Sequence, residues 1–154
     1  LLLTTLLEGE ARETGRLMAS IAREAQASGR PVPAPACILA GGETTVTVRG
    51  GGRGGRHQEI ALAAAMAIAG GTGILLASFA TDGREGNTDA AGGFASGETV
   101  PAGNRAGLDP AGCLAANNSW RFLSATGDVL VTGPTGTNVN DITFALVTRP
   151  AGED

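Results

Sequence analysis

The sequence predicts an α/β fold in which strands and helices alternate along the chain and pack in layers. Three observations lead there. Residues 74–80, ILLASFA, form a continuous apolar run of strand length, the pattern of a strand covered on both faces. Residues 58–69 are alanine-rich and of high helix propensity. Apolar residues make up 42% of the 154 positions and charged residues 17%, enough for a core, and the length allows one domain of ordinary size or one domain plus part of another.

Taken in order, residues 1–5 read as a strand. Leu17, Met18, Ile21, Ala22 and Ala25 then recur at helical spacing, so an amphipathic helix ending at Gly29 is expected. Glu8 stands four residues before Arg12, in the favourable orientation for an ion pair on that helix. Pro31, Pro33 and Pro35 favour an extended connection. We therefore expect residues 1–30 to belong to one unit, 31–35 to be a linker, 36–148 to form the main domain and 149–154 a frayed tail.

Residues 36–40 read as a short buried strand and 44–48 as an alternating β-branched strand, with Val46 and Val48 on one face and Gly41 and Gly42 between the two. The glycine-rich run 50–55 cannot be regular structure, and it leads into the alanine-rich helix, which Gly70, Gly71 and Gly73 terminate. The strand 74–80 is followed by the acidic loop TDGREGNTD. Asp109 before Pro110 is a good helix N-cap, and helix continues in pieces to Ala125 with Gly127 as its stop. Strands are expected at 129–132 and 142–148, around the loop GPTGTNVND.

Composition excludes several function classes. All eleven basic residues are Arg and none is Lys, so the chain holds neither a Walker A lysine nor a Schiff-base lysine. A formal charge of −4 gives no nucleic-acid footprint. The apolar stretches 60–69 and 74–80 are too short to cross a bilayer. Cys37 and Cys113 lie far apart with a single histidine in the chain, so they are expected to be small buried residues of a cytoplasmic protein rather than a zinc site or a disulfide. The chain starts at Leu1 without Met or a basic leader, as in a piece of a longer frame.

Chemistry concentrates in the loops. Gly50, Gly52 and Gly55 satisfy GxGxxG between a strand and a helix, so a phosphate could sit on free backbone N–H groups at the positive end of the helix dipole. Arg49, Arg53 and Arg56 are interleaved with these glycines and with Gly54, and guanidinium groups there can bind an anion bidentately. Arg56, at the helix entrance, is the first candidate for stabilising transition-state charge in phosphoryl transfer, with an ion pair to Glu59 as its structural alternative. For His57 a packing or hydrogen-bonding role is expected.

Asp82 with Gly83, then Glu85 and Asp89, stand at a strand's carboxyl end. Carboxylates there could hold magnesium, Asp82 and Asp89 being the candidate ligands, or orient a hydroxyl. Thr135, Gly136, Thr137 and Asn138 in GPTGTN offer hydroxyls, an amide and turn backbone to an anion. Glu43 in GGETT and Asn118 in NNS are polar groups at similar element ends.

GGETTVTVRGGGRGGRHQE at 41–59, TDGREGNTDAAG at 81–92, GLDP at 107–110 and TGPTGTNVND at 132–141 together resemble the MOFRL domain of the class II glycerate 2-kinases, across about residues 36–148. LLLTTLLEGEARETGR resembles the end of that family's larger N-terminal domain. The resemblance implies an α/β fold with a mixed sheet flanked by helices, preceded by a strand-helix piece of a truncated N-terminal domain. It also implies ATP and magnesium as cofactors. The activity implied is transfer of the γ-phosphoryl group to the 2-hydroxyl of D-glycerate in a cleft between two domains of one chain, with room for a homo-oligomer.

The family uses a lysine from the N-terminal domain and an arginine that maps here to Arg56 in GGRHQE. The chain departs from the family pattern at His57, where Asn is usual, at Glu85, where Asp is more frequent, and at Asn118, where Asp is common. Pro101 and Gly103 also stand in a helix expected before GLDP. Two alternatives are weighed beside the kinase. One is an NAD(P)-linked hydroxypyruvate reductase, motivated by GxGxxG after a strand, although Asp82 lies beyond the roughly 20-residue spacing of a ribose-binding acid. The other is a non-catalytic ligand-binding module.

Overall fold

The computed structural model describes residues 1–149. Its elements are β1 (Leu2–Leu7), α1 (Ala11–Ser28), β2 (Ala36–Gly42), α2 (Arg56–Ala67), β3 (Ile74–Ala80), β4 (Gly92–Ser96), α3 (Thr99–Arg105), α4 (Pro110–Ala115), α5 (Ser119–Thr126), β5 (Val129–Leu130) and β6 (Asp141–Val147). The six strands form one sheet in the order β1-β2-β6-β3-β4-β5. Only β1 and β2 pair in parallel; the remaining neighbours are antiparallel, so the sheet is mixed.

α1 starts after Glu10 and ends where Gly29, at φ 74°, turns into the left-handed region and returns its N–H to the Ala25 carbonyl. Its apolar stripe, Met18, Ala19, Ala22 and Ala25, packs with Ile60, Ala64 and Ala65 of α2 onto Ile38, Ala40, Leu76, Ala95, Ala145 and Val147 of the sheet. Gly15 lets the two helices approach, because a Cβ there would run into the Ile60 carbonyl. The other side of α2, with Leu62 and Ala63, builds a second small core with Cys113, Leu114 and Phe122 from α4 and α5. The alanine richness of α2 is thus explained by burial on nearly every side.

Residues 1–30, expected to belong to a separate unit, supply β1 to this sheet and α1 to its main core. Arg12 of α1 does not pair with Glu8, which precedes the helix; it bonds instead to the buried Glu59 of α2 at 2.8 Å.

The expected covering of β3 on both faces needs correction. Leu76 is fully buried under α1 and α2, but Leu75 is 38% exposed and pairs with Leu146 on the opposite face. That face carries Leu39, Phe79 and Phe144 as well, none of them fully buried, and its apolar contacts run sideways along the sheet, as in the edge-to-face pair Phe79–Phe144. Cys37, expected to be buried, lies exposed on the same face, opposite Leu146, whereas Cys113 is buried.

Residues 44–48 are not a strand. After Gly42 the chain leaves the sheet, and only Thr45 makes an isolated bridge, to Glu10. Val48 is exposed rather than packed. β4 was not expected from the sequence, and α3 is the helix expected before GLDP. Pro101 falls in the first turn of α3, where a missing N–H costs nothing. A Cβ at Gly103 would collide with the Phe122 ring, so that glycine serves packing. Asp109 caps α4 as expected, accepting from the N–H groups of Ala111 and Gly112 at 3.0 and 2.9 Å. The last predicted strand starts one residue early, at Asp141, and the one before it is shorter, Val129–Leu130. The expected tail at 150–154 lies outside the described residues. Among those described, no helix is long and apolar enough to cross a membrane.

Candidate active site

The carboxyl ends of β2 and β3 meet the amino end of β6, where Asp141 is in register with Gly42 on one side and Ala80 on the other. The first residue of α2 is brought over this edge by the glycine loop. The resulting cleft, about 550 Å³, is lined by Glu43, Thr44, Val46 and Val48, by Gly50, Gly52, Gly54, Gly55 and Arg56, and by Glu59, Glu85, Asn87 and Asn117. Thr44 contributes a buried hydroxyl with no hydrogen-bond partner among the described residues.

Arg56 is fixed at the cleft's edge. Its Nε donates to Asp141 Oδ2 at 2.6 Å and its Nη2 to Oδ1 at 2.8 Å, a bidentate pair, with Glu43 3.8 Å away. The expected alternative partner, Glu59, is instead bonded to Arg12 and Asn117. The bond to Asp141 raises the Arg56 pKa against the opposing effect of burial. For Asp141, burial acts to raise the carboxyl pKa, but His57 and Arg56 together outweigh it and hold the group below its ordinary value.

His57 is completely buried. Its Nδ1 meets Ser78 Oγ at 2.8 Å, and Ser78 Oγ meets Thr143 Oγ1 at 2.7 Å. Its Nε2 lies 3.1 Å from Asp141 Oδ1 but off the line of a hydrogen bond, so the contact is electrostatic. This is the hydrogen-bonding role expected for the residue.

Glu85 is not turned toward a metal. It is buried, and its Oε1 accepts the backbone N–H groups of His57 and Gln58 while Oε2 accepts the Gln58 amide at 2.9 Å. It therefore caps α2, whose N-cap residue Gly55 has no side chain to do so. Burial raises its pKa against the lowering pull of His57 and Gln58.

The glycine loop is tied down from the same direction. Asn117 Oδ1 accepts from Arg49 N at 2.6 Å and Gly50 N at 2.9 Å, Asn118 Oδ1 from Arg53 N, Ala116 O from Gly52 N and Asn87 Oδ1 from Gly54 N. Side chains at Gly50 or Gly52 would strike the turn between α4 and α5, one at Gly54 would strike Ser119 at the start of α5, and one at Gly55 would strike Glu85. These glycines permit close packing, and the backbone N–H groups of Gly50, Gly52 and Gly54 are already bonded inside the protein. What the loop presents outward is guanidinium: Arg49 is exposed, and Arg53 lies 4.0 Å over the ring of Trp120.

The other expected residues gather at the same sheet edge, outside this cleft. Thr135 N donates to the Asp82 carbonyl at 3.2 Å, and Val139 and Asn140 bond to Thr81 at the end of β3. Gly83 packs so closely on Gly133 that a Cβ would overlap its carbonyl. Asp82 Oδ1 accepts from Arg84 N at 3.0 Å in a tight turn, and Asp89 is exposed, as are Gly136, Thr137 and Asn138. No group of three or more His, Cys, Asp or Glu side chains that could hold a metal ion occurs among the described residues.

Sequence reasoning did not single out Asp141, Ser78, Thr143 or Asn117. Asp141 closes the motif TGPTGTNVND, and that was its only signal. The partner of Arg56 lies 85 residues away along the chain.

The sequence profile of the MOFRL family matches residues 36–141. The D-glycerate 2-kinase of Thermotoga maritima is 49% identical over 146 residues, which are 95% of this chain and 35% of that protein. A glycerate 2-kinase of Pyrococcus horikoshii is 46% identical over 98% of this chain and 34% of its own length. An Agrobacterium vitis protein that carries a hydroxypyruvate reductase name is 48% identical over 96% of the chain. The crystal structure of the Thermotoga maritima glycerate kinase superposes with a TM-score of 0.95 at 48% identity, over 96% of this chain and 36% of that one. The chain thus spans about a third of the length of these relatives, and with the four motifs, the mixed sheet and the profile match in agreement, it belongs to the MOFRL family.

Proposed function

We propose that the chain is the C-terminal part of a glycerate 2-kinase, which moves the γ-phosphoryl group of ATP to the 2-hydroxyl of D-glycerate and yields 2-phosphoglycerate. The observation that carries this reading is the placement of Arg56. Its guanidinium is held along one edge by Asp141, and its Nη1 makes no hydrogen bond to the described residues, which leaves cationic donors for the charge that builds on a transferring phosphoryl group. Relatives aligned over almost the whole chain are named glycerate 2-kinases.

Arg53, Arg49 and the exposed loop 135–138 would approach the nucleotide phosphates, with Glu43 and Thr44 toward the acceptor. Magnesium bound to nucleotide phosphates needs only one or two protein carboxylates, a demand that the free oxygen of Asp82 and the exposed Asp89 can meet. When bound, it would neutralise phosphate oxygens. The lysine expected of the family lies in the rest of the longer protein, which forms the opposite wall of the cleft. The isolated chain is therefore inactive, since half a cleft cannot position both substrates. Two cysteines without a disulfide fit a cytoplasmic enzyme.

The hydroxypyruvate reductase name found among the relatives fits the site less well. A dinucleotide pyrophosphate needs free loop amides, and those of Gly50, Gly52 and Gly54 are engaged. Phosphorus NMR of the full-length protein with ATP, magnesium and D-glycerate tests the kinase. ADP and a phosphomonoester signal of 2-phosphoglycerate are expected, and Arg56→Ala should abolish both. Intact ATP in the presence of folded wild-type protein would reject the reading.

A further inference from the structure

Arg56 begins a helix, and a long side chain at such a place sweeps a wide arc unless something holds it. Asp141 holds it through two parallel bonds, at 2.6 and 2.8 Å. Such a pair fixes the plane of the guanidinium as well as its distance. Asp141 is itself set into the sheet: it opens β6, bracketed by β2 and β3, and its side chain is only 8% exposed.

Behind it stands His57, whose ring is oriented by a hydroxyl relay. With Nε2 carrying the proton, Thr143 can donate to Ser78 and Ser78 to His57 Nδ1, so the face of the ring nearest Asp141 Oδ1 is positive. In the opposite tautomer a lone pair would confront the carboxylate at 3.1 Å. Ser78 and Thr143 are buried, at 0 and 1% exposure, on the helix-covered face of central strands, positions where apolar residues are the rule. Polar groups buried there make sense as a backing for the carboxylate.

We infer that Asp141 is the positioning residue for Arg56, backed by the His57–Ser78–Thr143 relay, and that it aims the free edge of the guanidinium into the cleft. This inference rests on the proposed kinase reading for its consequence and on the bidentate pair for its geometry. The charged groups around Asp141 are Arg56 and His57 of α2, with Glu43 after β2 and Glu85 after β3 acting on Arg56.

The test uses full-length protein with Asp141→Asn, Asp141→Glu and Arg56→Ala. Misaiming one catalytic group should lower kcat of the Asn variant by about 10- to 100-fold. The KM for glycerate should stay within about threefold, since binding groups are untouched. The Glu variant, which keeps a bidentate carboxylate, should recover part of kcat. A kcat within about twofold of wild type in Asp141→Asn, while Arg56→Ala is inactive, would overturn the inference. So would a loss that tracks only the fraction of folded protein. If the wild type has no kinase activity, the functional reading fails on its own. Crystal structures then decide the positioning: a displaced guanidinium in folded Asp141→Asn supports it and an unmoved one overturns it.

Discussion

Glu85 places its carboxylate against the backbone N–H of His57, where the positive end of a helix would otherwise receive a phosphate. The strand-glycine-helix pattern invites a bound anion, and a side chain of the protein's own acidic loop stands there instead. The N–H groups of His57 and Gln58 are thereby occupied, and what the loop presents outward is the guanidinium groups of Arg49 and Arg53.

A buried carboxylate that caps a helix has a pH signature. Burial raises the Glu85 pKa above its ordinary value of 4.5 in the folded protein, against His57 and Gln58. The folded state therefore holds this proton more tightly than the unfolded state does. Its contribution to stability is complete below the ordinary value and is lost as pH rises through the raised one. In Glu85→Gln the neutral amide keeps an acceptor for the helix, and Gln58, whose Oε1 has no partner, can turn to accept from it. Urea unfolding across this range should show the Gln variant gaining on wild type as pH rises; a difference independent of pH would show that Glu85 titrates normally. Glu85→Ala, which removes the cap, should cost about 1–2 kcal/mol.

Arg12 and Glu59 tie α1 to α2 inside the protein, Glu59 being 1% exposed. Removing one partner of a buried pair leaves an uncompensated charge, so Arg12→Met should cost about 3 kcal/mol. Adding Glu59→Gln should restore most of it. A double-mutant cycle by chemical denaturation checks this, and two additive losses would mean that the pair is not coupled.

Gly103 gives a test in which two rules predict opposite signs. Helix propensity alone favours Gly103→Ala in α3 by up to about 1 kcal/mol. The Phe122 ring occupies the space of the new methyl, and overpacking should instead cost about 1–3 kcal/mol. The denaturation midpoint decides between them.

Local chemistry made a large part of this fold legible. The period of Met18, Ala22 and Ala25, the Asp109–Pro110 cap, the Gly29 and Gly127 stops and the apolar run of β3 each report on their own neighbourhood. Residues 44–48 had a strand's alternation, yet strand formation needs a partner, and beyond Gly42 only Thr45 finds one. The opposite omission occurred at β4, for which no strand was expected. Gly92 sits so close to the Ser78 carbonyl that no side chain fits, a constraint visible only once the sheet is assembled. The site divides in the same way. Arg56 and the glycine loop announce themselves by composition, whereas Asp141, Ser78, Thr143 and Asn117 matter through partners dozens of residues distant.

The bare face of the sheet has a thermal consequence. Leu75 and Leu146, 38 and 42% exposed, share one face of the sheet with Leu39, Phe79 and Phe144, and apolar groups there order the water over them. Contact through such a surface is driven near room temperature by release of that water, so it carries a negative heat capacity and tightens on mild warming. Handled by itself, the chain is therefore best kept cold and dilute, conditions that weaken adhesion through this face.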